Sequence, residues 1–338
     1  MITYPWAEAP GFGEAVEVAE GVLWVRLPLP VALDHVNIYA LADDDGWTLI
    51  DTGMNNRHCR KAMLAALEGP LGGRPVRRVV MTHHHPDHIG QVGHFIADGA
   101  EVLATRTAYL MARMLTLDVQ DRITPEAEQF QIRAGLDSER LEARRAERPY
   151  NFADIVAPIP LGYTRIKQGD VLRLVDRSWT VHIGNGHAAE HTTLWSDDGL
   201  VLAGDQILPG ISPNLGVYPT EPDADPVGEW IESCERFRTL ARGEELVLPG
   251  HKLPFRGIIP RLDQLIDNHA HGLERLRAHL STPKRATDCF MPLYKREIRD
   301  GEYGLALVEA VGHLNHLQRL GQVCRELRED GAYWWEAV

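Results

Sequence analysis

Cysteine is scarce in this sequence, and the few cysteines are far apart. The four are Cys59, Cys234, Cys289 and Cys324, and no two of them form a CxxC pair. Disulfide-stabilised secreted domains carry denser and more regular cysteine patterns, so the spacing argues against that class of protein. We therefore expect reduced, mostly structural thiols and a cytoplasmic location.

Long apolar runs are also absent. No stretch reaches about 18 apolar residues, the length that would make a membrane-spanning helix. The segment from Met1 to Gly13 carries acids and prolines without an apolar centre, so we expect no signal peptide. The sequence predicts a protein without membrane contact.

Positively charged residues are fewer than negatively charged ones. The chain has 35 Lys and Arg against 48 Asp and Glu, which gives a formal net charge of −13. This balance argues against a broad nucleic-acid-binding surface, although a local basic groove is compatible with it. With 338 residues, of which 44% are hydrophobic, the chain suits one large globular domain or two modest ones.

Histidine is concentrated in one stretch. The apolar residues 79–81 predict a short strand, and the pattern His-x-His-x-Asp-His follows at residues 83–88. His83 and His85 alternate, so both point to one side of an extended segment, whereas Asp87 and His88 turn toward a second point. A solvated polar turn is the alternative, but four ligand-type residues within six positions favour a metal site. We expect this one loop to serve two metal ions.

The same arrangement recurs downstream, where short apolar segments each end in a small residue and a potential ligand. Three such residues follow predicted strands: His187, Asp205 and His251. Ligands at strand ends are held more rigidly than ligands on free loops. Asp51 also follows a strand, at Trp47 to Ile50, although an Asp–Thr–Gly sequence taken alone favours a plain turn.

Residues 107–165 interrupt the alternation of strands and helices. Their apolar residues have helical spacing, and Thr124-Pro125-Glu126 is typical of a helix start. We interpret this segment as a helical insertion that serves as a lid or as a subunit contact in a homodimer. Met111 and Met114 are candidates to line a pocket for an acyl chain or a ring, although ordinary packing of the apolar stripe is the alternative.

The C-terminal residues 284–338 differ in character from the rest of the chain. Small helices are followed by two predicted strands around Glu329-Asp330-Gly331, an order typical of a winged-helix-like module. This segment holds eight Lys and Arg against nine Asp and Glu, whereas a DNA-binding module would be basic. We predict a catalytic domain at residues 1–283 and a C-terminal module at residues 284–338 for packing or dimerisation.

Taken in order, these residues resemble the metallo-β-lactamase-fold hydrolase superfamily. The resemblance spans residues 51–251 and rests on Asp51, the His-x-His-x-Asp-His pattern, His187, Asp205 and His251. It implies an α/β fold, the αββα sandwich: two mixed sheets face to face, helices outside, and metals at one edge.

The resemblance also implies a set of metal ligands. The first ion would be held by His83, His85 and His187. The second would be held by Asp87, His88 and His251. Asp205 would bridge the two ions.

The sequence departs from true metallo-β-lactamases, which have Cys or Ser where Asp205 stands. A bridging carboxylate is similar to that of glyoxalase II, lactonases and related esterases and nucleases. The phrases at residues 204–209 and 211–214 resemble a subgroup of endoribonucleases and polyketide-type thioesterases with a winged-helix-like C-terminal module. Because the insertion at residues 107–165 is outside the common pattern, no substrate is carried over from a particular member.

The chemistry implied is a metal-bridging hydroxide that attacks the carbonyl of an ester, thioester or lactone in a small-molecule substrate. Asp87 would bind metal and orient the nucleophile, and Asp205 would bridge. We expect zinc, and the ligand set also suits iron or manganese. The alternatives are an endoribonuclease of the same fold and, ranked lower, a di-iron redox protein. The redox function needs a flavin domain, and no such module is visible after residue 283.

Other polar residues near these motifs have two interpretations each. Asp51 is expected to orient a ligand rather than bind metal itself. His191 either donates a hydrogen bond to substrate or supports the ligands, and we favour support. Lys252 could contact an anionic group of the substrate, with a solvated surface lysine as the alternative. His182 and His269 are interpreted as structural.

Overall fold

The computed structural model describes residues 1–338, and their contacts group into two compact units. The first unit contains Met1–Val119, Asn151–Pro213 and Arg238–Arg261. The second unit contains Gln120–Tyr150, Asn214–Phe237 and Leu262–Val338. The boundary predicted at residue 283 is not tested by this division and stays a prediction. None of the helices combines the length and the apolar character that a bilayer-spanning helix needs.

A seven-stranded sheet forms one layer of the first unit. Neighbouring strands are antiparallel from the first to the fourth and parallel from the fourth to the seventh. The strands, in spatial order, are β1 (Ala15–Ala19), β2 (Val22–Pro28), β3 (His35–Asp43), β4 (Gly46–Ile50), β5 (Val76–Val80), β6 (Glu101–Ala104) and β7 (Thr164–Arg165).

A six-stranded sheet forms a second layer of the same unit. All neighbouring pairs are antiparallel except the parallel pair β11 and β12. The strands, in chain order, are β8 (Val171–Leu174), β9 (Arg177–Gly184), β10 (His191–Ser196), β11 (Leu200–Gly204), β12 (Leu246–Pro249) and β13 (Phe255–Arg256). Residue alternation predicts the longer strands, but β10 is not predicted because all six of its residues are buried and no apolar–polar alternation marks it.

The two sheets face each other across a shared apolar core. Trp24 and Tyr39 of the first sheet pack in one cluster with Trp179 and Val181 of the second. The opposite face of the first sheet packs against helices, including α1 (Arg57–Glu68), through a second apolar cluster. Because successive side chains of a strand point to opposite faces, one strand such as β3 contributes to both clusters.

Ten α-helices complete the chain. The other nine are α2 (Pro86–Ile89), α3 (Val92–Ala97), α4 (Arg106–Leu117), α5 (Pro125–Arg133), α6 (Ser138–Ala146), α7 (Pro226–Leu240), α8 (Ile258–His279), α9 (Phe290–Tyr294) and α10 (Tyr303–Arg319).

The second unit brings the middle of the insertion together with the C-terminal segment. The Arg133 guanidinium donates to the Gly331 carbonyl oxygen at 2.8 Å, and the Thr287 hydroxyl donates to the Gly135 carbonyl oxygen at 3.0 Å. The predicted C-terminal hairpin is confirmed as β14 (Val323–Leu327) paired antiparallel with β15 (Tyr333–Ala337).

Within the predicted helical insertion, the charged residues 125–147 form two helices, α5 and α6. Gly135 lies at φ +86°, a left-handed conformation that ends α5 two residues after Arg133. Asp137 then caps α6 by accepting a hydrogen bond from the Arg140 backbone N–H at 2.8 Å.

Candidate metal centre

The candidate ligands lie where strands of the two facing sheets end. His83 and His85 follow β5, and α2 begins directly after His85 with Pro86 at its first position. Asp205 follows β11, and His251 follows the parallel neighbour β12. The backbone N–H of Gly250 donates to the Gly204 carbonyl oxygen at 2.7 Å, which holds those two strand ends side by side.

The seven predicted ligands converge at this edge. Potential ligand atoms lie within 4.8 Å of one another in three groups: His83, His85 and His187; His83, His88 and Asp205; and Asp87, His88 and His251. The two ligand sets expected from the resemblance therefore meet in space, although their role as ligands stays a proposal.

Asp205 lies between these sets. Its Oδ2 is 3.1 Å from His251 Nε2 and 3.6 Å from His187 Nε2. Its Oδ1 is 3.4 Å from His88 Nε2. One carboxylate thus faces nitrogens of both ligand sets, which is the placement that a bridging ligand needs.

Three histidines present Nε2 to the centre because their Nδ1 is engaged elsewhere. His88 Nδ1 donates to Asp51 Oδ2 at 2.7 Å, and His251 Nδ1 donates to the His35 carbonyl oxygen at 2.7 Å. His83 Nδ1 lies 2.9 Å from the Thr82 hydroxyl oxygen. An imidazole fixed in this way offers its Nε2 lone pair to a metal.

Asp51 holds Thr82 and His88 through hydrogen bonds. Its carboxylate accepts from the Thr82 backbone N–H at 2.8 Å, from the Thr82 hydroxyl at 2.7 Å and from His88. Because the Thr82 hydroxyl donates to Asp51, it accepts from His83 Nδ1–H. Asp51 is 2% exposed and lies at φ +62°, a left-handed conformation that non-glycine residues seldom adopt. Asp51 thus contacts one candidate ligand, His88, directly, and its function in orienting ligands stays a prediction.

Some polar atoms of this cluster have no hydrogen-bond partner in the protein. His83 Nε2 lies 3.0 Å from His85 Nδ1, so two nitrogens suited to metal binding face each other. Buried His88 Nε2 and Asp205 Oδ1 make no hydrogen bond. Buried polar atoms without partners are costly, and imidazole nitrogens with carboxylate oxygens are a donor set for zinc-like ions. The residues present therefore fit divalent metals.

The acidic and basic side chains of the cluster strongly change one another's pKa values. Burial opposes ionisation of Asp205, yet His251 and His88 hold its pKa well below the ordinary value. Burial lowers the pKa of His251, but Asp205 and Asp87 together raise it to about 10. The buried Asp205 carboxylate is thus ionised, and its negative charge is balanced by a nearby positive charge, which protonated His251 or a bound cation can supply.

His83 and His85 behave in the opposite way. Burial lowers the pKa of each well below the ordinary histidine value, and neighbouring histidines act in the same direction. Both imidazoles are neutral at neutral pH, the state in which histidine binds metals.

A second group of supporting residues lies on β3, and the sequence motifs do not identify it. His35, Asn37 and Tyr39 alternate along this strand and hold the loop that carries His251. The Asn37 amide donates to the carbonyl oxygens of Pro249 and Lys252, at 2.9 and 2.7 Å, and the Tyr39 hydroxyl donates to Pro249 at 2.9 Å. The available signal was a polar residue at every second position of an otherwise apolar strand.

Three predicted residues remain: Lys252, Met111 and Met114. Lys252 follows His251 at φ +69°, and its backbone N–H donates to His35 Nε2 at 2.8 Å. Met111 is half-buried on α4, and Met114 is 43% exposed. Contact of these three side chains with a substrate stays a prediction.

His191 is fully buried beside the ligands. Its ring stacks on the His83 ring with centroids 4.6 Å apart and planes 22° apart. Its Nε2 accepts a hydrogen bond from the Asp205 backbone N–H at 3.2 Å. These contacts favour support over donation to a substrate.

Two facing mixed sheets with a His and Asp cluster at the strand ends define a metallo-β-lactamase-type fold. Comparison with known proteins agrees. The family described as "Metallo-beta-lactamase superfamily" matches residues 31–251, and "Metallo-beta-lactamase-like, C-terminal domain" matches residues 273–338. The chain belongs to the metallo-beta-lactamase superfamily, and the predicted fold class and family are confirmed.

The chain is similar to relatives over almost its whole length. It is 27% identical over 309 residues to "Probable metallo-hydrolase YqjP" of Bacillus subtilis (strain 168), covering 88% of this chain and 92% of that protein. A beta-lactamase domain protein from Burkholderia ambifaria is 33% identical with a TM-score of 0.89, covering 100% of this chain and 97% of that one. A metallo-beta-lactamase family protein from Thermus thermophilus is 26% identical with a TM-score of 0.79, covering 95% of this chain and 100% of that one.

Proposed function

We propose that this protein is a metal-dependent hydrolase whose site holds two divalent ions. The observation that carries the proposal is Asp205, whose carboxylate lies near nitrogens of both ligand sets: His187 of the first set, and His88 and His251 of the second. The relative from Bacillus subtilis bears the name of a probable metallo-hydrolase, which supports the same reaction class.

Each proposed ligand has an assigned place. The nitrogens of His83, His85 and His187 would hold one ion. Asp87, His88 and His251 would hold the other, with Asp205 between them. When bound, such ions lower the pKa of water toward neutrality and supply positive charge that stabilises a developing oxyanion. Zinc fits the nitrogen-rich set, and iron or manganese would fit as well.

Asp87 is the residue that we propose directs the attacking water. Its side chain is 21% exposed, whereas that of Asp205 is 8% exposed, so Asp87 is the carboxylate more open to solvent. Its Oδ2 lies 3.4 Å from His251 Nε2 and 3.6 Å from His88 Nε2. A carboxylate held in this way can orient a water by accepting its hydrogen bond.

The substrate class that we propose is a small ester, thioester or lactone. No Lys or Arg occurs in residues 82–90, 184–191 and 204–214, the three segments that carry six of the seven candidate ligands. Lys252 follows the seventh, His251. The net charge of −13 opposes a polyanionic substrate such as RNA. A carbonyl substrate with little charge suits this composition better.

One panel of assays tests the proposal. Matched reactions would use aryl esters, acyl thioesters, lactones, a β-lactam and single-stranded RNA, with metal-stripped protein and Asp87→Asn as controls. We expect metal-dependent hydrolysis of at least one ester, thioester or lactone and a large loss of turnover in Asp87→Asn. Metal-dependent RNA cleavage without carbonyl hydrolysis would instead assign a ribonuclease.

A further inference from the structure

His191 lies between two turns that each carry a candidate ligand. On one side its ring is stacked against His83, and on the other it accepts the Asp205 backbone N–H. His191 is the first residue of β10, and the next backbone N–H, of Thr192, donates to the Thr82 carbonyl oxygen at 2.7 Å. The ring is therefore anchored to the strand that joins the facing sheets at this point.

Gly204 shows how closely the ring is enclosed. A Cβ atom at residue 204 would lie 2.6 Å from His191 Cε1 and 2.8 Å from His191 Nε2, and the residue has a φ of +49°. Any side chain at this position would collide with the imidazole. The ring thus fills the space between the His83 imidazole and the Gly204–Asp205 turn.

The hydrogen bond fixes the tautomer of His191. Its Nε2 accepts the Asp205 N–H, so a neutral ring carries its proton on Nδ1. Nδ1 is buried without a hydrogen-bond partner. Nothing in these contacts uses His191 as a donor to a substrate, and an apolar residue would avoid the unsatisfied Nδ1. What the imidazole adds is an acceptor at a defined distance from the backbone.

We infer that His191 is a positioning residue that sets the separation between the His83 imidazole and the Asp205 carboxylate, and thereby the spacing of the two metal positions. The inference rests on the proposed dinuclear site. Supporting residues around metal ligands commonly change metal affinity by about 10–100-fold when replaced.

The test compares two amides that differ in reach. In His191→Gln the side-chain oxygen can lie near the position of Nε2 and accept the Asp205 N–H, whereas in His191→Asn it is too short. His182→Gln is the control, because His182 is a half-buried histidine on the neighbouring strand β9, with its Nδ1 3.0 Å from Gln168 Nε2. Cobalt(II) titration of the metal-free proteins, followed by visible absorption and by magnetic coupling between the ions, is the measurement.

We expect wild type, His182→Gln and His191→Gln to bind two cobalt ions that are magnetically coupled. His191→Asn should bind at least one ion about 10–100-fold more weakly, with altered coupling. If Gln and Asn at residue 191 behave alike, either both as wild type or both impaired, the inference is overturned. Should His191→Asn fail to fold, loss of the second ion or of coupling in a folded His191→Gln would overturn it. A wild-type protein that binds no stoichiometric cobalt would contradict the proposed dinuclear function.

Discussion

Asp205 is the residue on which the two candidate ligand sets meet. Its carboxylate is buried and ionised, and its pKa is held low by His251 and His88 against the effect of burial. A carboxylate in this position would lower the repulsion between two bound cations. Its removal should therefore affect chemistry more than folding.

Replacing Asp205 by Asn removes one negative charge and keeps the shape of the side chain. We expect turnover to fall by about 100-fold or more, since this charge would stabilise the two proposed cations at the reacting centre. Circular dichroism and thermal unfolding should remain close to those of wild type. Near-normal turnover with a full metal complement would show that Asp205 does not bridge.

Asp51→Asn tests the orientation of His88. The carboxylate of Asp51 accepts from the Thr82 backbone N–H with one oxygen and from His88 Nδ1–H with the other. The Asn amide has only one oxygen, so it can accept from one of these two donors but not from both. A His88 ring forced into the other tautomer would carry its proton on Nε2, the nitrogen that faces the metal. We expect metal affinity to fall by about 10–100-fold, measured by competition with a chelator. Unchanged affinity would limit Asp51 to a backbone function.

The convergence of the candidate ligands could be predicted from sequence because five of the seven, all except Asp87 and His88, follow a strand within five residues. Their supports could not. Asn37 contacts the Pro249 carbonyl oxygen across 212 residues of sequence, and His251 donates to His35 across 216. Local patterns carry the direction of a side chain, whereas these pairs depend on how the two sheets face each other.

At the scale of the element, α4 is tied to the loop that carries His187. The Glu190 carboxylate accepts from the Thr107 backbone N–H in the first turn of α4 at 2.7 Å, and the Glu190 carbonyl oxygen accepts from the Thr105 hydroxyl at 2.8 Å. Negative charge at a helix N-terminus is stabilising. The start of the insertion is thus anchored beside the proposed site, while its function as a lid or as a homodimer contact stays a prediction.

Helix α10 contains a carboxyl group that should make stability depend on pH. Burial raises the pKa of Glu309 to about 7, although hydrogen bonds from Tyr294 and Asn214 act in the opposite direction. Because the pKa in the folded protein is higher than in the unfolded chain, the group favours folding most below its unfolded pKa. This contribution is lost as the pH rises through about 7.

Glu309→Gln should therefore flatten the dependence of thermal stability on pH. We expect the variant to be more stable than wild type at pH 8, by on the order of 1–2 kcal/mol, and to differ little near pH 4. Thermal unfolding between these pH values, with exposed Glu329→Gln as the control, is the measurement. Parallel curves for Glu309→Gln and wild type would show that Glu309 titrates normally.

The limits of prediction at this scale have a physical cause. Longer strands and amphipathic helices are visible because periodicity repeats over several residues. The two-residue strands β7 and β13 are too short to show any period, and β10 lacks alternation because both its faces are buried. The break after α5 depends on the left-handed conformation of Gly135, which glycine permits but does not require.

At the scale of the whole molecule, charge and composition restrict the partners. The C-terminal hairpin carries arginines, but they are engaged within their own unit. Arg325 lies over the rings of Tyr333 and Trp335 and pairs with Asp223 at 2.7 Å, and Arg328 lies over Trp334. These contacts leave a surface of mixed charge rather than a basic one.

We therefore predict that the full-length protein does not bind duplex DNA tightly or with sequence preference. Fluorescence anisotropy titration at physiological salt should show no specific complex below micromolar concentrations, because a protein of net charge −13 lacks the electrostatic attraction that supports such binding. Submicromolar, sequence-dependent binding would overturn this prediction.

The grouping of the chain into two units could not be predicted from the sequence. Residues 107–165 could be predicted to be helical and to interrupt the main pattern. That their middle part would cluster with the C-terminal segment depends on contacts such as Arg133 with Gly331, which are 198 residues apart. Apolar periodicity predicts that a helix has a buried face but not the element against which it packs.

The claim that the cluster at the strand ends holds two metal ions can be tested by elemental analysis of freshly purified protein. We predict two transition-metal ions per chain, mostly zinc, and the loss of at least one ion in the double variant His83→Ala, His187→Ala with the fold retained. A wild-type protein that contains no stoichiometric transition metal, and takes up none on reconstitution, would contradict the claim.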